Sequence, residues 1–307
     1  MSKKKPELSR EEFLKQFETK MNTAIERFKI LEPKEGYFLS FSGGKDSQCI
    51  YHLAKQAGVK FDAHYTVTSV DPPELIHFIK DNYPDVIFDY PRYKDGSRAN
   101  MWNLIVKAKI PPTRVARYCC QQLKENFGGG GRIVVTGVRW EESSKRRHNH
   151  DVLTLIGKPK TTQKIADDMG LEYRTPSTGS IVFGLDNDKS KRIVEQCYQD
   201  RKTRFNPIVD WTSDDVWHYL NNVARVPHCC LYDEGMTRIG CVGCPLISAK
   251  EQEKELNRWP KYKKLYLLAF DKMLKHREET GSVVSPHNKW TDAESVMEWW
   301  IHNGEKK

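Results

Sequence analysis

Residues 37–57 constrain this chain more than any other stretch. Tyr37-Phe38-Leu39-Ser40-Phe41 reads as a short apolar strand that runs straight into the turn Ser42-Gly43-Gly44-Lys45-Asp46-Ser47. Residues 47–57 then read as a helix, with Cys49, Ile50, Leu53 and Ala54 on one side and Gly58 at its end. A strand that turns through glycines into a helix is the opening of a parallel α/β sheet, and the turn lies at the carboxyl end of the strand, where such sheets hold ligands.

The remaining pattern continues the alternation. Residues 8–30 read as a helix, with Ser9 as cap, Glu11 and Glu12 in the first turn, and Phe13, Phe17, Met21, Ala24 and Phe28 at helical spacing. Residues 60–67 read as a second strand, Asp71-Pro72-Pro73-Glu74 opens a helix, and Val86-Ile87-Phe88 is a third strand. Residues 132–138 give the clearest buried strand, after the connection Gly128-Gly129-Gly130-Gly131. Residues 139–180 read as irregular and polar, 212–221 as a helix opened by Thr212-Ser213-Asp214-Asp215, and 222–247 as loops carrying cysteines. A long charged helix is expected over 250–280 and a last helix over about 291–302. The expected fold is α/β, a Rossmann-like doubly wound parallel sheet with a cysteine-bearing loop region and C-terminal helices. The expected organisation is a helical segment 1–35, a nucleotide-binding domain 36–247 and a helical region 248–307. No internal repeat is visible.

The turn at 42–47 has the chemistry of a phosphate loop. Two glycines let backbone amides approach an anion, and the helix N-terminus that follows adds free N–H groups and a positive dipole end. Ser40, Ser42 and Ser47 offer hydroxyls and Lys45 a charge. The Walker A pattern is absent, because Asp46 follows the lysine. The other reading of the same letters is an ordinary glycine-rich turn with a surface lysine. Arg139, Lys145, Arg146 and Arg147 follow the strand 132–138, where side chains face a ligand crevice and arginine holds phosphate bidentately. The alternative is a solvated basic loop. Asp71 is placed to touch ribose or Mg²⁺, or to form a turn before Pro72-Pro73.

Bulk properties set the context. The 307 residues suffice for a full core, and 30% charged residues mark a globular composition. Apolar runs such as Ile133-Val134-Val135 are too short to span a bilayer, and the basic start Met1-Ser2-Lys3-Lys4-Lys5-Pro6 has no apolar stretch after it. The expectation is a cytoplasmic protein with no membrane partner. There the eight cysteines favour metal or redox chemistry over disulfides, and six of them fall in three tight pairs: Cys119-Cys120, Cys229-Cys230 and Cys241-x-x-Cys244. Cys49 and Cys197 read as buried packing. The formal charge of +9 suits a polyanionic partner or a surface of solvated lysines.

At this point a family resemblance is specific. Ser42-Gly43-Gly44-Lys45-Asp46-Ser47 resembles the pyrophosphate loop of the adenine nucleotide α-hydrolase (N-type ATP pyrophosphatase) superfamily. Within it the chain is similar to the phosphoadenosine phosphosulfate (PAPS) reductase family over most of residues 36–247. The matching stretches include Thr136-Gly137-Val138-Arg139-Trp140-Glu141-Glu142-Ser143, with Arg146 and Arg147 after it, and Asn206-Pro207-Ile208-Val209-Asp210-Trp211 with Asp214-Asp215-Val216-Trp217. The resemblance implies an adenine nucleotide (ATP, PAPS or adenylylsulfate) at Ser40, Ser42, Gly43, Gly44, Lys45, Asp46, Ser47, Asp71, Gly137, Arg139 and Arg146. Arg139 and Arg146 would grip its phosphate or sulfate end, and Lys45, Asp46 and Arg139 would be catalytic, with Mg²⁺ accompanying ATP.

A Cys-Cys pair with a distant CxxC resembles the [4Fe–4S] ligand set of the family's iron–sulfur branch. Two versions follow from the resemblance: Cys119, Cys229, Cys241 and Cys244, slightly preferred because Cys229 shares a loop with the CxxC, or Cys119, Cys120, Cys241 and Cys244. Zinc is the rival metal, since four thiolates suit both. No cysteine follows Cys244 in this sequence, whereas thioredoxin-dependent reductases of the family use a late nucleophilic cysteine. The first reading is therefore an ATP pyrophosphatase that adenylates an acceptor for sulfur transfer, with a nucleic acid as acceptor and a sulfur donor protein as partners. The second is reduction of PAPS or adenylylsulfate to sulfite. The third is a metal-stabilised nucleic-acid-binding protein without catalysis.

Overall fold

A computed structural model gives the fold and describes residues 9–125, 131–156, 163–164, 167, 172–176, 180–183, 202–282 and 290–302. Cys197 and residues 128–130 of the glycine run lie outside the described residues. The chain divides into two compact units. The first comprises Met1–Tyr65, Asp85–Ile87 and Gly128–His228, the second Thr66–Pro84, Phe88–Phe127 and Cys229–Lys307.

The first unit begins with α1 (Arg10–Ile30), closed at its start by a capping box between Ser9 and Glu12. Phe17, Ala24 and Phe28 are its buried apolar positions. Strands β1 (Tyr37–Ser40), β2 (Phe61–Thr66), β3 (Ile87–Asp89), β4 (Val134–Val135), β5 (Leu153–Ile156), β6 (Ile181–Phe183) and β7 (Lys202–Phe205) form one sheet in the order β3-β2-β1-β4-β7-β5-β6. β1 pairs in parallel with β2 and β4, and β4 with β7. β5 runs antiparallel to both β7 and β6. Tyr37, Phe28 and Phe205 meet as a buried aromatic trio against the centre of the sheet. α2 (Lys45–Ala57) follows β1 and stops at Gly58, whose φ of 72° is the left-handed conformation that glycine adopts without strain. α6 (Ser144–Asn149) and α7 (Ser213–His218) complete the unit.

The α/β sheet with a parallel centre is the expected one. Three details differ. The strand expected over 132–138 pairs only at Val134–Val135, because the chain leaves the ladder before Gly137. Within residues 139–180, read as irregular, Leu153–Ile156 is the paired strand β5 and Ser144–Asn149 is α6. Val152, Leu153 and Leu155 there are fully buried, which supplies the reason for the strand.

The second unit holds α3 (Pro73–Asn82), α4 (Met101–Ala108), the short α5 (Tyr118–Cys120) running into a π-helical turn at Gln121–Glu125, α8 (Ala249–Arg258), α9 (Pro260–Glu279) and α10 (Ala293–His302). Leu104, Ile105, Tyr266, Phe270, Met273 and Trp300 centre its core. The single helix expected over 250–280 is two helices. Pro260 removes the backbone N–H needed to continue α8 and starts α9 as its first residue, with Trp259 between them in a non-helical conformation. Among the described residues no helix is long and apolar enough to cross a membrane.

Candidate functional site

In the first unit, the sheet order places β1 between β2 and β4, so the chain winds outward from β1 in one direction and returns on its other side at β4. Crevices at such reversal points take ligands at the carboxyl ends of the strands. The residues leaving those two strands are Ser40 to Ser47 and Thr136 to Arg139. Gly43 has φ +73°, a left-handed value that favours glycine, and Gly44 is the N-cap of α2 without any side-chain cap. The first-turn amides of α2 are thus not closed by a side chain, which is the arrangement of an anion-binding helix start. Ser42 Oγ donates to Ser47 Oγ at 3.1 Å, and Ser47 Oγ donates to the Gly44 carbonyl at 2.9 Å, so both serines brace the turn. Ser40 is exposed at the strand end. Lys45 is buried, with Nζ 3.1 Å from Asp46 Oδ2.

Gly137 passes directly beneath this turn. A Cβ there would stand 3.0 Å from both the carbonyl carbon and the Cβ of Asp46. The sequence suggests Gly137 as a nucleotide contact, and the structure gives it the closer task of letting β4 lie against the loop.

Arg139 departs from expectation. Its side chain is only 2% exposed, and its guanidinium is already engaged by protein. Nε donates to Asp46 Oδ1 at 2.7 Å, Nη1 to Glu141 Oε2 at 2.8 Å and to the Trp211 carbonyl at 3.3 Å, and Nη2 to Ser213 Oγ at 3.3 Å. Burial works against its charge, but Asp46 and Glu141 outweigh this and hold its pKa above the ordinary arginine value. Glu141 also accepts from the Ser213 amide at 2.6 Å. The guanidinium that the resemblance assigned to a phosphate or sulfate end is engaged here by protein groups. Arg146 is partly exposed and pairs with Glu142 one turn away. Asp71 belongs to the second unit, where Oδ2 accepts from Thr68 N at 3.0 Å and Thr68 Oγ1 at 2.7 Å. These bonds make it a turn former before Pro72.

The second unit carries the thiols. Cys119, Cys120, Cys241 and Cys244 line one narrow cavity with Thr68, Met101, Leu123, Lys124, Pro245 and Tyr266. Cys119 shares a hydrogen bond with Cys120, which together with burial pushes its own thiol up and draws Cys120 down, helped by Arg117. Burial also raises Cys241 and Cys244. Lys124 has an exposed stem, yet its ammonium reaches the cavity, where Cys241 and Asp71 raise its pKa. Cys229 is fully buried beside Cys230 and Glu74 and is not part of the cavity wall. The structure therefore gathers the version containing Cys120, not the preferred one containing Cys229. Nearness in the chain did not decide it: α5 and its π turn bring the distant Cys119-Cys120 to the CxxC, while the 3₁₀ turn at Cys230–Tyr232 diverges from it.

Residues that sequence reading missed hold the CxxC turn. Gly243 has φ +70°, and its Cβ would meet Leu256 at 3.1 Å. Its amide donates to Glu255 Oε2 at 2.8 Å, its carbonyl accepts from buried Gln252 Nε2 at 3.0 Å, and Tyr266 Oη donates to the Val242 carbonyl at 3.0 Å. Gln252 and Glu255 sit on an otherwise charged helix, and nothing in their spacing singles them out. The donor set is four sulfurs in a largely apolar lining that also contains Thr68 and Lys124, a soft set that fits an iron–sulfur cluster or zinc. Among the described residues no three His, Cys, Asp or Glu side chains converge on a point where one metal ion would sit.

A parallel sheet with an uncapped glycine turn at its reversal point defines an α/β protein of the Rossmann-like nucleotide-binding class. More narrowly, the chain belongs to the phosphoadenosine phosphosulfate reductase domain family, whose model matches residues 36–247. This is a family of nucleotide-binding enzymes. Its relatives include an uncharacterized protein of Methanocaldococcus jannaschii (24% identical, 74% of this chain and 40% of that protein) and a probable FAD synthase of Caenorhabditis briggsae (26%, 74% and 32%). An adenosine 5'-phosphosulfate reductase of Oceanobacillus iheyensis is 27% identical over 29% of this chain and 39% of its own. The chain spans about a third to a half of the length of the curated relatives it matches over most of its own length. A solved PAPS reductase from Candida auris, in complex with phosphate, aligns with TM-score 0.41 at 14% identity, over 78% of this chain and 98% of that one.

Proposed function

We propose that this protein uses the turn Ser42–Ser47 to bind ATP, as its Mg²⁺ complex, and cleaves it between the α- and β-phosphates. The acceptor is adenylated and pyrophosphate leaves. One observation carries this reading: the N-terminus of α2 opens without a side-chain cap at the reversal point of a parallel sheet, with Gly43 in the left-handed conformation. Amides there and Lys45 stabilise charge on the departing pyrophosphate, and no covalent step on the protein is required. Asp46 pairs with both Arg139 and Lys45.

The four thiols of the cavity would hold a [4Fe–4S] cluster, with zinc as the alternative that a four-thiolate set also suits. Cys119, Cys120, Cys241 and Cys244 would hold it, with Thr68 and Lys124 beside Cys241. Such a cluster supplies electron transfer or a sulfur-binding iron. The reading extends to sulfur delivery onto the adenylated acceptor, with a sulfur donor protein and a nucleic-acid acceptor favoured by the +9 charge, in the cytoplasm.

A second reading has its own support. The four cysteines that line the cavity are one of the two sets that the resemblance to the family's iron–sulfur branch implies, and relatives include adenosine 5'-phosphosulfate reductases. That reading gives sulfite from adenylylsulfate or PAPS. The test is an anaerobic preparation assayed for pyrophosphate from ATP and for sulfite from adenylylsulfate with a dithiol. Pyrophosphate without sulfite is expected. Sulfite without pyrophosphate replaces the first reading by the second.

A further inference from the structure

We propose that Arg139 is a positioning residue that keeps the phosphate loop open by withdrawing the loop's own carboxylate. The inference rests on the reading of residues 42–47 as the nucleotide loop and adds what makes that loop able to accept an anion. The problem it solves is electrostatic. Asp46 stands in the first turn of α2, one residue after Lys45, at the helix end whose amides are to receive phosphate. A carboxylate in that turn is attracted to the same N–H groups and the same dipole end as a phosphate is. Left alone it competes with the ligand as an internal anion, and it ties Lys45, whose Nζ is 3.1 Å from Asp46 Oδ2.

Arg139 removes the competitor. Its Nε holds the other carboxylate oxygen, Oδ1, at 2.7 Å, from the far side of the loop where β4 ends. The guanidinium does not swing to do this. Glu141, the Trp211 carbonyl and Ser213 Oγ fix its remaining nitrogens, and its side chain is 2% exposed. Gly137, against the backbone of Asp46, lets the strand approach closely enough for the pair to form. Charge is balanced within the group: Lys45 and Arg139 against Asp46 and Glu141. The positive character of the loop is therefore left to its amides, with Lys45 released when a phosphate replaces Asp46 as its partner. Arg139 acts on the ligand only through Asp46.

That dependence gives a test that a purely structural role would fail. The probe is inorganic pyrophosphate without metal, measured by calorimetry on the full chain. Arg139→Met frees Asp46 to fold onto the loop, and affinity is expected to fall about tenfold or more. Asp46→Asn in the same chain removes the competing charge, so the double variant is expected to recover to within about threefold of wild type. Arg139→Lys, which keeps a cation beside Asp46, guards against a misfolded methionine variant and is expected to retain binding within about threefold. Melting curves identify folded variants. Wild-type affinity in folded Arg139→Met overturns the proposal. A double variant as weak as the single one, or a folded Arg139→Lys as weak as Arg139→Met, also overturns it. If wild-type protein binds neither pyrophosphate nor ATP, the nucleotide reading of the loop itself is lost, a result distinct from any of these.

Discussion

At the scale of single residues, Gly137 sets how closely the end of β4 approaches the loop. Gly137 has no room for a methyl group: its Cβ would lie 3.0 Å from the Asp46 carbonyl carbon, and backbone does not yield as a side-chain tip does. Gly137→Ala is expected to displace the loop and to cost about 1–3 kcal/mol in stability as an overpacked contact. ATP affinity measured by calorimetry should fall with it, by about tenfold or more, because loop amides must keep their positions to bind phosphate. Unchanged affinity would show that Gly137 does not support the loop. The conformation of the turn 42–47 was legible in the sequence because it is local: left-handed backbone and a helix start are written in adjacent letters. The fate of Arg139 was not legible. Its partners Asp46, Trp211 and Ser213 lie 93, 72 and 74 residues away, and a basic residue after a strand reads the same whether it faces ligand or a buried carboxylate.

Among elements, α8 shows how a helix that looks like a solvated charged rod comes to serve a site. Its sequence is AKEQEKELNR, yet Gln252 and Leu256 are buried on one face, and Gln252 and Glu255 bind the two sides of the Gly243 peptide. The helix is anchored by the Ser248–Glu251 capping box and ended by Pro260 of the next helix. Groups that orient ligand-bearing loops typically change metal affinity by about 10–100-fold when removed. Gln252→Leu keeps the size and burial but leaves the Gly243 carbonyl without its donor. Iron retained after anaerobic purification and a timed chelator challenge should drop accordingly, while Lys254→Gln on the exposed face should leave it unchanged. Equal retention in both would remove α8 from the account of the metal site. Most helices and the parallel strands were readable because each carries its own periodicity and caps. The short β5 to β7 extension, the break at Trp259 and the choice of Cys120 over Cys229 were not. Each depends on pairing or packing between segments far apart in sequence.

For the molecule as a whole, charge and protonation set a window of stability. The chain already carries a formal +9, and acidification adds charge that opposes compactness. Two histidines of the first unit make the effect specific. Burial and the nearby Lys55 bring His52 down to about 4, despite an opposing pull from Asp85. Burial, Arg204 and Arg146 bring His150 down to about 4 as well. Both are held neutral in the folded chain, whereas in the unfolded chain they titrate near their ordinary value of about 6.5. Between those limits the unfolded chain binds more protons than the folded one, so stability rises with pH there. The contribution is intact above about pH 6.5 and is lost progressively as pH falls toward 4, below which these two groups add no further slope. Both side chains are partly exposed, which blunts the size of the effect without changing its sign. Urea unfolding followed from pH 7 to 4.5 should therefore show midpoints that decline for wild type and decline less for His52→Gln/His150→Gln. Referenced to their values at pH 7, the two curves are expected to separate most near pH 4.5, where the unfolded wild-type chain has bound the protons that the folded chain excludes. A parallel decline in both proteins would assign the acid sensitivity to net charge alone and leave the two histidines without a part in it.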